Sequence, residues 1–222
     1  GKVSEEALLK VESASYHSSG TCTFYGTANS NQMLLEMMGL QLPNSSFVNT
    51  NTPLRESLTA HAAKTILTMT ELRGTYKPLA DIIDEKSFVN AIVGLMATGG
   101  STNHTIHIIA MARAAGIILN WDDFDAISKV TPLLCKMYPN GQADVNHFRE
   151  AGGMSVVISQ LLDARLVHND VETIIGRGLD AYIAEPILHN GAVVFEQGAK
   201  VSRDENVVAS IQKPFSTEGG LK

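Results

Sequence analysis

One cysteine set between glycines just ahead of a helix is the feature of this sequence with the most chemistry in it. The stretch Gly20-Thr21-Cys22-Thr23-Phe24-Tyr25-Gly26-Thr27-Ala28-Asn29 puts Cys22 in a loop, with helical spacing beginning at Thr27. A helix start offers unpaired backbone N–H groups and the positive end of the helix dipole, which favour a thiolate over a thiol. A thiolate is a nucleophile or a metal ligand, and flanking glycines let backbone approach a bulky cofactor closely. The competing reading is a small cysteine buried in a tight turn. Cys135, in the apolar run Pro132-Leu133-Leu134-Cys135-Lys136, has no partner at metal-site spacing and reads as structural.

Gly99-Gly100-Ser101-Thr102-Asn103 joins two glycines and two hydroxyls to a helix start. That is the pattern of an anion site built from backbone N–H groups, for a phosphate or a carboxylate, and equally that of an ordinary helix cap. His104 and His107 lie three apart on one helix, but a zinc site needs more ligands, so they read as packing or surface. The remaining histidines, His17, His61, His147, His168 and His189, form no triad that spacing identifies. Asp122, Asp123 and Asp125 lack the EF-hand spacing, and Asp122 reads as a helix cap. Gly176-Arg177-Gly178 lacks the preceding strand and third glycine of a dinucleotide fingerprint.

The elements that must position these residues follow from apolar spacing at i, i+3, i+4 and i+7. It predicts a helix over 27–38 with Met33, Leu34, Met37 and Met38 inward and Gly39 at its end, and another over 54–72, after Pro53 and before Gly74. A short helical turn is expected over 79–84, and a helix over 86–97 that is apolar on most faces and therefore buried. Ser101 or Thr102 is expected to cap a helix through His104, Ile108 and Met111 to Ala115, closed by Gly116. A β-branched run at 117–120 leads to a short helix capped by Asp122, and 131–137 reads as a buried strand before the turn Pro139-Asn140-Gly141. Gly152-Gly153 opens a helix through Val156, Val157, Leu161 and Leu162, and 171–183 reads as a weaker helix interrupted by Gly176 and Gly178. Over 192–208 the period shifts toward two, so strand and loop replace helix.

At 222 residues the chain makes one large domain, or one domain with an attached piece, at roughly 150 residues per domain. With 44% hydrophobic and 18% charged residues and a mean hydropathy of +0.04, it should fold rather than stay disordered. Its 17 basic against 23 acidic residues give a net charge of −6 with no basic cluster, which excludes the electrostatic footprint of a nucleic-acid binder. The longest apolar runs, 91–97 and 106–112, fall short of the ~20 residues of a membrane span. Two cysteines make no disulfide framework and no secretory leader is read ahead of Gly1, so a reducing cytoplasm is the expectation. The start at Gly1-Lys2-Val3 and the closing turn Gly219-Gly220-Leu221-Lys222 lead to the expectation of a piece of something longer.

The cysteine stretch followed by Asn31-Gln32-Met33 resembles the dihydroxyacid dehydratase and phosphogluconate dehydratase family. So do Gln41-Leu42-Pro43 with Ser45-Ser46-Phe47-Val48, Ile83-Asp84-Glu85-Lys86, and Ala97-Thr98-Gly99-Gly100-Ser101-Thr102-Asn103-His104-Thr105. Asn120-Trp121-Asp122-Asp123-Phe124 and Tyr138-Pro139-Asn140-Gly141 extend the resemblance, which covers residues 11–222. Phe24-Tyr25-Gly26 and the histidine after Asn103 point to the phosphogluconate branch, of the Entner-Doudoroff pathway.

The resemblance implies an α/β fold: residues 1–185 as a helix-rich part of a three-layer N-terminal domain, and 186–222 as a connector toward a C-terminal β-barrel-like domain that the chain lacks. It implies a hydro-lyase that dehydrates 6-phospho-D-gluconate to 2-dehydro-3-deoxy-6-phospho-D-gluconate, with an iron-sulfur cluster as Lewis acid, four-iron in preference to two-iron. Three cysteines hold that cluster, and Cys22 is the last of them. The other two, the magnesium ligands and the catalytic base lie outside this sequence, so the chain alone should be inactive. Ser101, Thr102 and Asn103 become candidate substrate-binding residues. A homodimer is implied for the whole enzyme, with neither nucleic acid nor membrane as partner. The alternatives are a related dihydroxyacid or sugar-acid dehydratase, or a non-catalytic phosphosugar-binding module.

Overall fold

The computed structural model describes residues 2–15, 22–73 and 75–220. Gly1, His17, Gly20, Thr21, Gly74, Leu221 and Lys222, which figure in the expectations above, lie outside the described residues. Eight helices and two antiparallel hairpins are present among those described: α1 (Glu5–Ala14), α2 (Thr27–Met37), α3 (Pro53–Thr68), α4 (Glu85–Thr98), α5 (His104–Ala114), α6 (Trp121–Ser128), α7 (Val145–Glu150), α8 (Gly153–Asp163), β1 (Glu172–Thr173), β2 (Gly176–Arg177), β3 (Ala184–His189) and β4 (Ala192–Gln197). The chain is thus the helix-rich part expected of an α/β domain, with only small sheets.

Helix α4 lies at the centre. It starts at a capping box in which the Asp84 carboxylate accepts from the Ser87 amide and the Ser87 hydroxyl accepts from the Asp84 amide, and it ends at Gly99 in the left-handed conformation. Every residue from Ser87 to Thr98 except Val89 is buried, as an all-round apolar helix must be. Gly94 lets α2 come close, because a Cβ there would lie 2.5 Å from Met37 Cγ and 2.9 Å from Met33 Sδ. α2 packs on α4, α6 flanks α4, and α7 and α8 complete the main core. A smaller cluster of Leu42, Val48 and Leu58 sits between α3 and the β3–β4 hairpin. By contrast α3 buries only Leu58, and α1 buries none of its residues.

Several sequence expectations need correction. The helix expected to reach Leu72 ends at Thr68, where the Met69 amide turns back to the Ile66 carbonyl, and a separate 3-10 turn follows at Glu71–Arg73. α5 is preceded by Asn103, whose side chain makes no capping bond; the Ser101 hydroxyl accepts the Asn103 amide instead. Asn120 rather than Asp122 caps α6, in a reciprocal box with Asp123. Asp125 is paired with Lys129 at 2.6 Å.

The expected strand over 131–137 is an extended buried segment held by isolated bridges, Leu133 to Ser216, Cys135 to Val208 and Met137 to Ala143. The Leu134 and Cys135 amides both donate to the Ala97 carbonyl, at 2.7 and 3.1 Å, so this segment closes the end of α4. The weak helix over 171–183 is instead the β1–β2 hairpin and a 3-10 turn, Asp180–Ile183. Gly176 at φ +132 and Gly178 at φ +90 sit in conformations no helix contains, and Val171, Thr173, Ile174 and Ile175 bring β-branched stiffness. Helix α7 was not foreseen. Beyond β4, Val207, Val208 and Ala209 are buried against the body of the chain.

Candidate functional site

The Cys22 loop is fixed by groups on α2, at the end of α4 and on the chain after it. The buried Asn29 side-chain amide donates to the carbonyls of both Cys22 and Phe24, at 2.7 Å each. Tyr25 is pinned at both ends: its amide donates to the Tyr138 carbonyl at 2.9 Å and its hydroxyl to Thr98 Oγ1 at 2.8 Å. Burial pushes the Tyr25 phenol far above its ordinary range, so it serves as a neutral donor. The Phe24 ring stands edge-on to Tyr138, and Val145 donates its amide to the Thr23 carbonyl. Between these ties the Cys22 thiol is exposed, with a long contact of 3.8 Å to the Phe24 carbonyl.

Cys22 borders a cavity of about 230 Å³, whose wall includes Asn29, Gln32, Asn49, Arg55 and Asn146 and, among the described residues, no carboxylate. Arg55, in the first turn of α3, gives one N–H to the Ser45 carbonyl at 3.1 Å. Asn146 is buried on the first turn of α7, with its side-chain NH₂ toward Asp144 at 3.4 Å. The wall formed by Ser46, Phe47 and Val48 hangs on Glu36. That fully buried carboxylate accepts the amides of Asn44 (2.9 Å) and Ser46 (2.8 Å) and the Ser46 hydroxyl. Burial pushes the Glu36 carboxyl up to about 7 against the pull of these donors, Ser46 first. Spacing alone missed Glu36, Arg55 and Asn146. The available signals were an acid inside the Met33, Leu34, Met37 stripe and a cation in a first helical turn, where the dipole prefers anions.

The Ser101 turn meets the same helix start. Ser101 Oγ and Asn103 Nδ2 both lie 2.8 Å from Thr27 Oγ1, and the Ser101 amide points to Ser30 Oγ at 3.4 Å. Thr102 and Asn103 are exposed, and the Thr102 carbonyl accepts from Thr105. The structure therefore brings the two candidate segments together on the first turn of α2, Cys22 through Asn29 and residues 101–103 through Thr27.

His104 is buried under this junction, with Nε2 2.9 Å from Ser30 Oγ and 3.2 Å from the Thr27 carbonyl. Ser30 already donates to the Gly26 carbonyl, so the network assigns the proton to His104 Nε2, which donates to both oxygens. Burial, with His107 nearby, lowers the His104 pKa, so the ring is neutral. His104 and His107 stack edge-to-face and pack, as expected. Cys135 is fully buried, and burial alone pushes its thiol far up, which agrees with a structural role. Among the described residues no group of three or more metal-ligating side chains occurs, and no helix is long and apolar enough to cross a membrane.

The dihydroxy-acid/6-phosphogluconate dehydratase N-terminal family matches residues 1–182. The chain is 56% identical over all its 222 residues to the phosphogluconate dehydratases of Pseudomonas aeruginosa and Escherichia coli, covering 36% and 37% of their lengths. It is 34% identical to the dihydroxy-acid dehydratase of a Roseiflexus species, again over 100% of this chain and 37% of that protein. The chain thus spans little more than a third of the length of the curated relatives it matches. From the ordered motifs, the thiol-bearing loop and a family match over most of its length, the chain belongs to the dihydroxy-acid/6-phosphogluconate dehydratase family.

Proposed function

We propose that this chain is the cluster-bearing part of a cytoplasmic, homodimeric phosphogluconate dehydratase, a hydro-lyase that converts 6-phospho-D-gluconate to 2-dehydro-3-deoxy-6-phospho-D-gluconate. The observation that carries the reading is the exposed Cys22 thiol, held in a fixed loop beside a cavity whose wall, among the described residues, has no carboxylate. The residues present fit one ligand of an iron-sulfur cluster: Cys22 is accessible, whereas Cys135 is sealed in the core. When bound, the cluster, four-iron on this reading, supplies a Lewis acid for the departing hydroxyl. Magnesium belongs to residues outside this chain.

The chain's own residues set the stage for that chemistry. Asn29 and Tyr25 hold the loop so that the sulfur faces outward rather than into the core. Thr27 ties the loop's helix to Ser101 and Asn103, and the exposed Thr102 and Asn103 side chains stand ready for substrate hydroxyls. The identities of 56% and 34% favour the phosphogluconate over the dihydroxy-acid reaction. The test is Cys22→Ser in the full-length enzyme, assayed by the brown cluster absorbance and by turnover of 6-phosphogluconate beside unphosphorylated gluconate. Both absorbance and turnover should disappear. Retention of both would refute the ligand assignment, and equal wild-type turnover of the two substrates would shift the reading to a general sugar-acid dehydratase.

A further inference from the structure

Among the described residues lining the cavity at Cys22, Arg55 is the one that carries a charge. Its guanidinium is half-buried and has no carboxylate partner among the described residues, with Nη1 on the Ser45 carbonyl. It stands in the first turn of α3, where the helix dipole works against a cation. A half-desolvated cation placed against its own helix and left without a counter-ion suits an anion that arrives from outside.

Across the same cavity, Asn146 is 5% exposed and its Oδ1 has no hydrogen-bond partner. Flipping the amide would not help, because it would set the carbonyl oxygen against Asp144 Oδ2, which now faces the NH₂ group. A buried acceptor left unpaired is costly, so it marks a place for a donor. The volume of about 230 Å³ lies below the roughly 300–1,000 Å³ of drug-sized pockets and matches a short polyhydroxy acid better than a nucleotide.

We propose that Arg55 is the residue through which this protein grips an oxyanion of its substrate, a phosphate or a carboxylate, while the Asn146 carbonyl accepts a hydroxyl of the same molecule. The proposal rests on the sugar-acid reading above for the identity of the molecule, and on the cavity alone for the anion.

The test uses the full-length enzyme with Arg55→Gln and Arg55→Lys. Arg55→Gln should raise KM for 6-phosphogluconate by about 10- to 100-fold, the range of a charge-assisted contact, with kcat far less affected and the cluster absorbance intact. Arg55→Lys should recover part of the loss. If Arg55 meets the phosphate, KM for gluconate stays put; if it meets the carboxylate, both values rise.

A second readout avoids turnover. In iron-free protein, inorganic phosphate or gluconate should slow iodoacetamide alkylation of Cys22 in the wild type and not in Arg55→Gln. Unchanged KM in Arg55→Gln with the cluster intact overturns the proposal. So does a wild-type alkylation rate that neither anion slows, even where Arg55→Gln fails to fold. Arg55-dependent protection in an enzyme that dehydrates neither substrate would uphold the oxyanion site and sink the dehydratase reading.

Discussion

The segments around Cys22 and Cys135 are both irregular chain tied to helix ends by hydrogen bonds, yet they leave their thiols in opposite surroundings. Around Cys135 the backbone bonds to Ala97 and bridges to Val208, so the sulfur points into a core shared with α4. Around Cys22 the ties are Asn29 and Tyr25, both on the inner side of the loop, and the sulfur is left at the surface. One residue type therefore serves as core filling in one place and as a candidate ligand in the other. The deciding variable is which side of a pinned backbone the sulfur occupies.

The contrast can be broken most sharply by alkylating the folded, iron-free protein with iodoacetamide. Cys22 should react and Cys135 should not, whereas denaturation should expose both; mass spectrometry of the folded protein with label on Cys135 would erase the distinction. A smaller effect is expected on stability. Cys135→Ser should cost about 1–3 kcal/mol by chemical denaturation, because it buries a hydroxyl in an apolar site, and Cys22→Ser should stay within about 0.5 kcal/mol, as exposed substitutions do. Equal losses at the two positions would mean that burial does not separate them.

A pH slope is expected from Glu36, which braces the wall of the Cys22 cavity. Burial holds its carboxyl at about 7 in the folded chain against an ordinary 4.5, so between these values the folded state keeps a proton that the unfolded chain has released. Its stabilising contribution is present below about 4.5, falls as pH rises through about 7, and levels off above. Denaturant midpoints from pH 5 to 8 should show this slope, and Glu36→Gln should remove it; a slope that persists in the variant would belong to other groups.

Much of the helical frame was legible because its signals are local. The apolar run of α4, the Met stripe of α2 and the Gly152-Gly153 opening of α8 each carry their own period or cap. α7 was hidden because six residues show no period, and its start depends on the Asp144 cap. The β1–β2 hairpin escapes spacing because the β-branched Val171, Thr173, Ile174 and Ile175 ahead of Gly176 fit helix or strand until the φ of Gly176 and Gly178 is known. Cys22 could be picked out by its glycine setting and the family motif. Arg55 and Asn146 could not, since they reach the cavity from separate helices and only the packing of α3 and α7 beside the loop brings them there.

The double anchorage of Tyr25 has a consequence for assembly. Fixing a residue's backbone opposes folding by about 1–2 kcal/mol of entropy, and here the loop meets that cost when the phenol docks on Thr98 and the amide on Tyr138. On the ligand reading proposed above, an incoming inorganic centre would find its sulfur donor already immobilised, with no affinity lost to organising the polypeptide around it.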